Sequence, residues 1–162
     1  MNYSTEQWMM IVTPILLPIS MYLIFQFLDG ILSYPLGYLT AFLIYMIFWC
    51  TLFPIYLLGP QSFVGLFAET AQKLGPNPGK TMIALLWPIP FPLFFMFIPR
   101  ISKANLSIII ASVLLGISIG ITEEVLWRGV YIRVFPDDLW WGYLYPALGF
   151  AIWHLAPQSV LT

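Results

Sequence analysis

Glu123, Glu124, Arg128 and His154 are the residues whose types and spacing could do chemistry in this sequence. Leu106 to Thr122 carries no charge; two carboxylates then stand side by side, with a guanidinium four residues after the second. Ionised groups within an apolar run cost free energy and default to a functional role. Adjacent residues on a helix point about 100° apart, so the two glutamates face different ways. Glu124 and Arg128 stand at i,i+4 in the favoured order and are expected to pair. Glu123 shares its helical face with Gly116, Gly120 and Trp127. A carboxyl group without an ion-pair partner of its own holds a proton more readily, as a general base needs near neutrality. An ion-pair staple between helices explains the same spacing, and spacing alone does not choose.

His154 is the one histidine, with Phe150 a turn earlier on the same face. An imidazole there serves either as a proton carrier or as a structural hydrogen-bonding group. No H-E-x-x-H pattern is present, and one histidine with two adjacent glutamates is a poor zinc set, so neither a metal nor another cofactor is expected. Gly116-Ile117-Ser118-Ile119-Gly120 spells G-x-S-x-G. That motif needs a strand–turn–helix elbow, and here it lies within an apolar helical run. Ser112, Gly116 and Gly120 read better as a small-residue seam for a neighbouring helix. A Ser118–His154 dyad is the corresponding serine-protease alternative.

These groups must be positioned by helices in lipid. The composition is 60% hydrophobic and 8% charged, far from the roughly 45–50% and 25% of soluble domains. A net charge of −1 gives no basic field and excludes nucleic acid as a partner class. The lone Cys50 reads as a small buried or lipid-facing hydrophobe. The expected fold class is all-α: a multi-span transmembrane helix bundle of five spans, with one interfacial helix, in a single domain over residues 1–162. The partner this requires is a lipid bilayer, and the location is an integral, multi-pass membrane protein.

Trp8 to Leu28 is the first span, retained rather than cleaved, kinked at Pro14 and Pro18; neighbouring groups must then satisfy the freed carbonyls. Leu36 to Leu58 is the second. Gln61 to Leu74 reads as an amphipathic helix with Phe63, Phe67, Ala71 and Leu74 on one face and Glu69, Gln72 and Lys73 away from it. A loop follows over residues 75–80. Thr81 to Ile98 is a third span, bent or broken by Pro88, Pro90 and Pro92. After the polar connection at Pro99, Arg100 and Lys103, Asn105 caps the fourth helix, Leu106 to about Phe135. Asp137-Asp138 opens the next turn. Tyr143 to Leu161 is the fifth span, preceded by an aromatic belt at Trp140, Trp141, Tyr143 and Tyr145. Glu123 lies about 25 Å along from Leu106, near one face of the membrane.

Glu123-Glu124-Val125-Leu126-Trp127-Arg128 resembles the E-E-x-x-x-R motif of the CAAX-protease and bacteriocin-processing family, and Phe150-Ala151-Ile152-Trp153-His154 resembles its F-x-x-x-H motif. Order, separation and placement on consecutive spans agree over residues 106–162. The resemblance implies a multi-pass intramembrane endopeptidase of the glutamate type, acting on a peptide or protein substrate that is prenylated in some members. In that reading Glu123 and His154 activate a water, with Glu124, Arg128 and Phe150 in support. The family has a further helix bearing a second histidine followed four residues later by Asn or Asp, assigned to the oxyanion. This sequence has one histidine, so it is expected to be the N-terminal part of a longer domain and inactive alone. A non-catalytic membrane protein, an immunity factor or a scaffold, is the reading from another class.

Overall fold

A computed structural model describes residues 3–32, 34–70, 79, 83, 90, 94–95, 98–99 and 106–161. Most of the expected loop over 75–80, most of the third span, the Arg100–Lys103 connection, the Asn105 cap and the end of the amphipathic helix lie outside the described residues. Among the described residues every regular element is helical.

Helix α1 runs Thr5–Ile31 and α2 runs Leu36–Leu58; both are long and apolar enough to cross a membrane. Ser4 starts α1 with a capping box, its hydroxyl accepting from the Gln7 amide while the Gln7 side chain accepts from the Ser4 amide, so two orphan donors of the first turn are satisfied. Within α2, Tyr45–Leu52 is a π-helical stretch. Helix α3 spans Pro60–Thr70, α4 spans Leu106–Glu124 and continues through a π-helical stretch, Val125–Val130, to a last turn at Tyr131–Val134. A π-helical Trp140–Leu144 leads into α5, Tyr145–Trp153, and α6 is the short Leu155–Gln158.

The chain forms two compact units, residues 1–67 with 120–162, and residues 68–119. In the first unit, α1 presents Met10, Pro14, Leu17, Pro18, Met21 and Phe25 to the interior. They recur at three- and four-residue steps, one stripe of a helix. Against them pack Tyr45 from α2, Leu126, Val130 and Tyr131 beyond α4, and Trp153 from α5, all essentially buried. The outward faces of α1 and α2 carry Ile15, Leu23, Leu43 and Ile47, each more than half exposed, a surface suited to lipid rather than water. Cys50 is buried, as its setting in an apolar run suggested.

The two prolines of α1 stay within one helix. Pro14 has no N–H for the Met10 carbonyl. That carbonyl accepts instead from the Tyr131 hydroxyl at 2.8 Å, and the next one, Ile11, accepts from the Tyr145 hydroxyl at 2.6 Å. The donors thus come from the α4 and α5 sides of the unit, and these two bonds register α1 against both. Close approach completes the fit: a Cβ on Gly149 would collide with Pro14 and with the Trp127 ring.

Several elements depart from expectation. On α3 the buried residues are Phe63 and Leu66, while Phe67 is 40% exposed; Leu66 turns inward beside Gly129. The fifth helix is interrupted at His154 instead of continuing to Leu161. The small-residue seam has no occupant among the described residues: a Cβ at Gly116 or Gly120 would meet nothing within 4 Å. Of the expected belt, Trp140 and Tyr143 are exposed, but Tyr145 is turned inward by its bond to α1.

Candidate active site

Glu123 and Glu124 close the α-helical part of α4, and the backbone widens immediately after them. An i→i+5 turn takes up more residues than an α-turn, and such stretches recur at functional sites. Gly120 is exposed, whereas Trp127 is 4% exposed and faces the core. Glu124 and Arg128 form the expected i,i+4 ion pair at 3.1 Å, with both side chains largely exposed.

Glu123 turns inward from that pair. The Trp153 indole N–H donates to its Oε1 at 3.0 Å. Trp153 lies on Tyr45, ring centroids 4.0 Å apart and 22° from parallel. The Tyr45 hydroxyl accepts from the Trp127 indole N–H at 2.9 Å and lies within electrostatic range of Glu123. Three helical segments thus converge on one carboxylate. The two tryptophans and the tyrosine present apolar bodies to the core, and their polar tips meet partners: Trp127 gives its N–H to Tyr45 and Trp153 gives its N–H to Glu123, as buried Trp and Tyr require.

His154 follows Trp153 and ends α5. Its Nδ1 lies 2.8 Å from the Phe150 carbonyl oxygen. A carbonyl only accepts, so Nδ1 carries the proton and the neutral ring keeps its lone pair on Nε2. Phe150 meets the imidazole edge-on, centroids 4.5 Å apart, and meets Trp127 at 5.8 Å, so it fixes the ring between the two motifs. The Glu123 carboxylate is therefore hydrogen-bonded to the residue beside His154, and the imidazole lies within electrostatic range of it. The direct partner of Glu123 is Trp153; His154 bonds to its own helix.

Glu123 is eleven residues before Val134, about 16 Å at 1.5 Å per residue. Val134 in turn sits beside the start of α1, its carbonyl 3.4 Å from the Gln7 side-chain nitrogen. Measured along α1, the carboxylate therefore lies near mid-helix rather than near one end. Trp153, its donor, packs on Phe25 of the same helix at 6.2 Å.

Tyr45 and Trp153 are the site residues that the motif pattern passed over. The available signal was a hydrogen-bonding tip on each inside an apolar segment. Ser118 donates its hydroxyl to the Leu114 carbonyl at 2.8 Å, the back-bond of a helix-interior serine. Among the described residues no three His, Cys, Asp or Glu side chains converge as they would around a metal ion.

A family model described as Type II CAAX prenyl endopeptidase Rce1-like matches residues 105–162. The matched segment contains both motifs and every titratable group just described except Tyr45. No curated protein and no solved structure matches the chain.

Proposed function

We propose, from the Rce1-like signature that residues 105–162 carry, that this chain forms the glutamate-bearing part of a multi-pass intramembrane endopeptidase site cutting a CAAX-type peptide. Glu123 accepts a proton from a water held between its carboxylate and Nε2 of His154. The hydroxide formed attacks the scissile carbonyl, and the proton passes from Glu123 to the leaving amine as the C–N bond breaks. Trp153 and Tyr45 hold the carboxylate, Phe150 holds the imidazole, and the Glu124–Arg128 pair supports the outer side. The observation that supports this most is the Trp153–Glu123 hydrogen bond, which ties the glutamate motif to the histidine motif at the residue beside His154.

The single histidine favours a second reading, a non-catalytic membrane protein, because the oxyanion donors of the family resemblance are not among these residues. Loss of one preorganised oxyanion donor costs about 10²–10³ in rate, so residues 1–162 alone are expected not to cleave. The test therefore uses membranes from cells expressing the gene as encoded, with a quenched CAAX-tailed peptide. Glu123→Gln is expected to abolish cleavage with membrane insertion intact, and Ser118→Ala to be nearly neutral. Loss of activity in Ser118→Ala with Glu123→Gln active would hand the site to serine chemistry; no cleavage by the unaltered protein would favour the non-catalytic reading.

A further inference from the structure

A groove of about 340 Å³ runs between the first turns of α1 and the last turns of α2, walled by Trp8, Met9, Val12 and Leu16 on one side and by Trp49 and Phe53 on the other. Its volume lies in the range of about 300–1,000 Å³ found for small-ligand sites. Trp8, Val12 and Leu16 are exposed, so the groove opens outward, between two helices long and apolar enough to cross a membrane. Two polar groups reach the wall. Thr13, 2% exposed, gives its hydroxyl proton to the Met9 carbonyl at 2.8 Å and has none left for a ligand. Trp49 is 9% exposed, its ring set edge-on by Phe48 and Phe53 at 5.4 Å each. Among the described residues its indole N–H has no hydrogen-bond partner, in contrast with the indoles of Trp127 and Trp153. No fully buried side-chain polar atom among those residues lacks a partner. The Trp49 N–H is therefore reached from outside, and the opening that Trp49 lines is this groove.

We propose that the groove seats one membrane glycerolipid, an acyl chain against Val12 and Leu16 and an ester carbonyl accepting from the Trp49 indole N–H. A buried indole needs an acceptor, and a hydrocarbon tail offers none. The ester carbonyl is an uncharged acceptor carried at the head of the chain. No charged residue lines the groove, so nothing there would hold a free fatty acid or a charged headgroup. Depth agrees. Trp8 meets Tyr3 edge-on at 5.6 Å, and Tyr3 meets Trp141 at 6.2 Å; aromatic clusters of this kind mark the headgroup level. Thr13 lies five residues beyond Trp8, about 7.5 Å along α1. The groove thus begins at the headgroup level and runs into the apolar layer, as a glycerolipid does. None of the residues that wall it belongs to the Glu123–His154 site, so the seat stands apart from the catalytic reading.

The protein, purified in detergent and stripped of lipid, is titrated with a dipalmitoyl phosphatidylcholine and with its diether analogue. The analogue has the same chains and headgroup but no carbonyl, and bound lipid is counted by native mass spectrometry. One molecule of the ester lipid is expected to bind about fivefold more tightly than the ether lipid, in keeping with one uncharged hydrogen bond. Trp49→Phe keeps an aromatic ring, removes the N–H and should bring the two lipids to equal affinity. Val12→Phe, at an exposed position, fills the groove and should weaken both lipids by the same factor with the helical content unchanged by circular dichroism. Equal binding of ester and ether lipid by the unaltered protein would overturn the proposal, as would an ester preference that survives Trp49→Phe. Unchanged affinities in Val12→Phe would place the lipid elsewhere and overturn it as well.

Discussion

A carboxylate turned into an apolar bundle needs donors, since an unpartnered charge there is expensive. For Glu123 that donor is the Trp153 indole. Trp153→Phe removes the N–H and keeps an aromatic ring against Tyr45. We expect kcat for the CAAX-tailed peptide to fall about 10²-fold, the cost of a misplaced reacting group, with KM changed little. A purely structural role would instead lower the amount of folded protein and leave the kcat of what remains unaltered; unchanged kcat would remove Trp153 from the site. At this scale Glu123, Glu124, Arg128 and His154 were legible because charge and imidazole are conspicuous in an apolar sequence. The Glu124–Arg128 pair was legible too, being set by local helical spacing. Tyr45 and Trp153 were not. In a span rich in large apolar residues their polar tips count for little until packing shows what they meet, and Tyr45 lies 78 positions from Glu123.

Two devices place these side chains at the level of elements, and only one has a sequence signature. The first is the carbonyl freed by a proline within α1. Pro14 announces that the Met10 carbonyl is without its helical donor, but the group that satisfies it, the Tyr131 hydroxyl, is known only from the packing. Tyr131→Phe leaves that buried carbonyl without a donor and should cost about 1–3 kcal/mol. Thermal unfolding in detergent is expected to show a lower Tm with the helical content retained; an unchanged Tm would mean the carbonyl finds another donor. The second device is the π-helical widening after Glu124, for which Val125–Val130 carries no composition signal. The face drawn by 3.6-residue periodicity through Gly116, Gly120, Glu123 and Trp127 is exposed at its glycines and buried at Trp127. Helix ends were more legible: α4 with its continuation stops at Val134, and Asp138 accepts from the Trp140 and Trp141 amides at the start of the next helical stretch. The Ser4–Gln7 capping box is equally readable, since Ser and Gln stand three residues apart ahead of the apolar run.

For the whole molecule, composition was decisive about class and weak about count. The all-helical fold agrees with it among the described residues, and α1 and α2 are each able to cross a membrane. A five-span bundle is part of the proposed function, because hydropathy marks apolar segments without saying which of them lie across lipid. What the first unit does is bring the glutamate motif and the histidine motif side by side through α1, α2 and α5. The central claim is that Glu123 and His154 act on one water as one unit. A double-mutant cycle tests it most directly, using membranes from cells expressing the gene and initial cleavage rates for Glu123→Gln, His154→Ala and the pair. Groups acting as a unit are strongly non-additive. Each single change is expected to lower the rate by about 10³-fold, within the range of acid–base catalysis, and the double variant to be no slower than the slower single one. Multiplied losses in the double variant, or full activity in His154→Ala, would contradict the account.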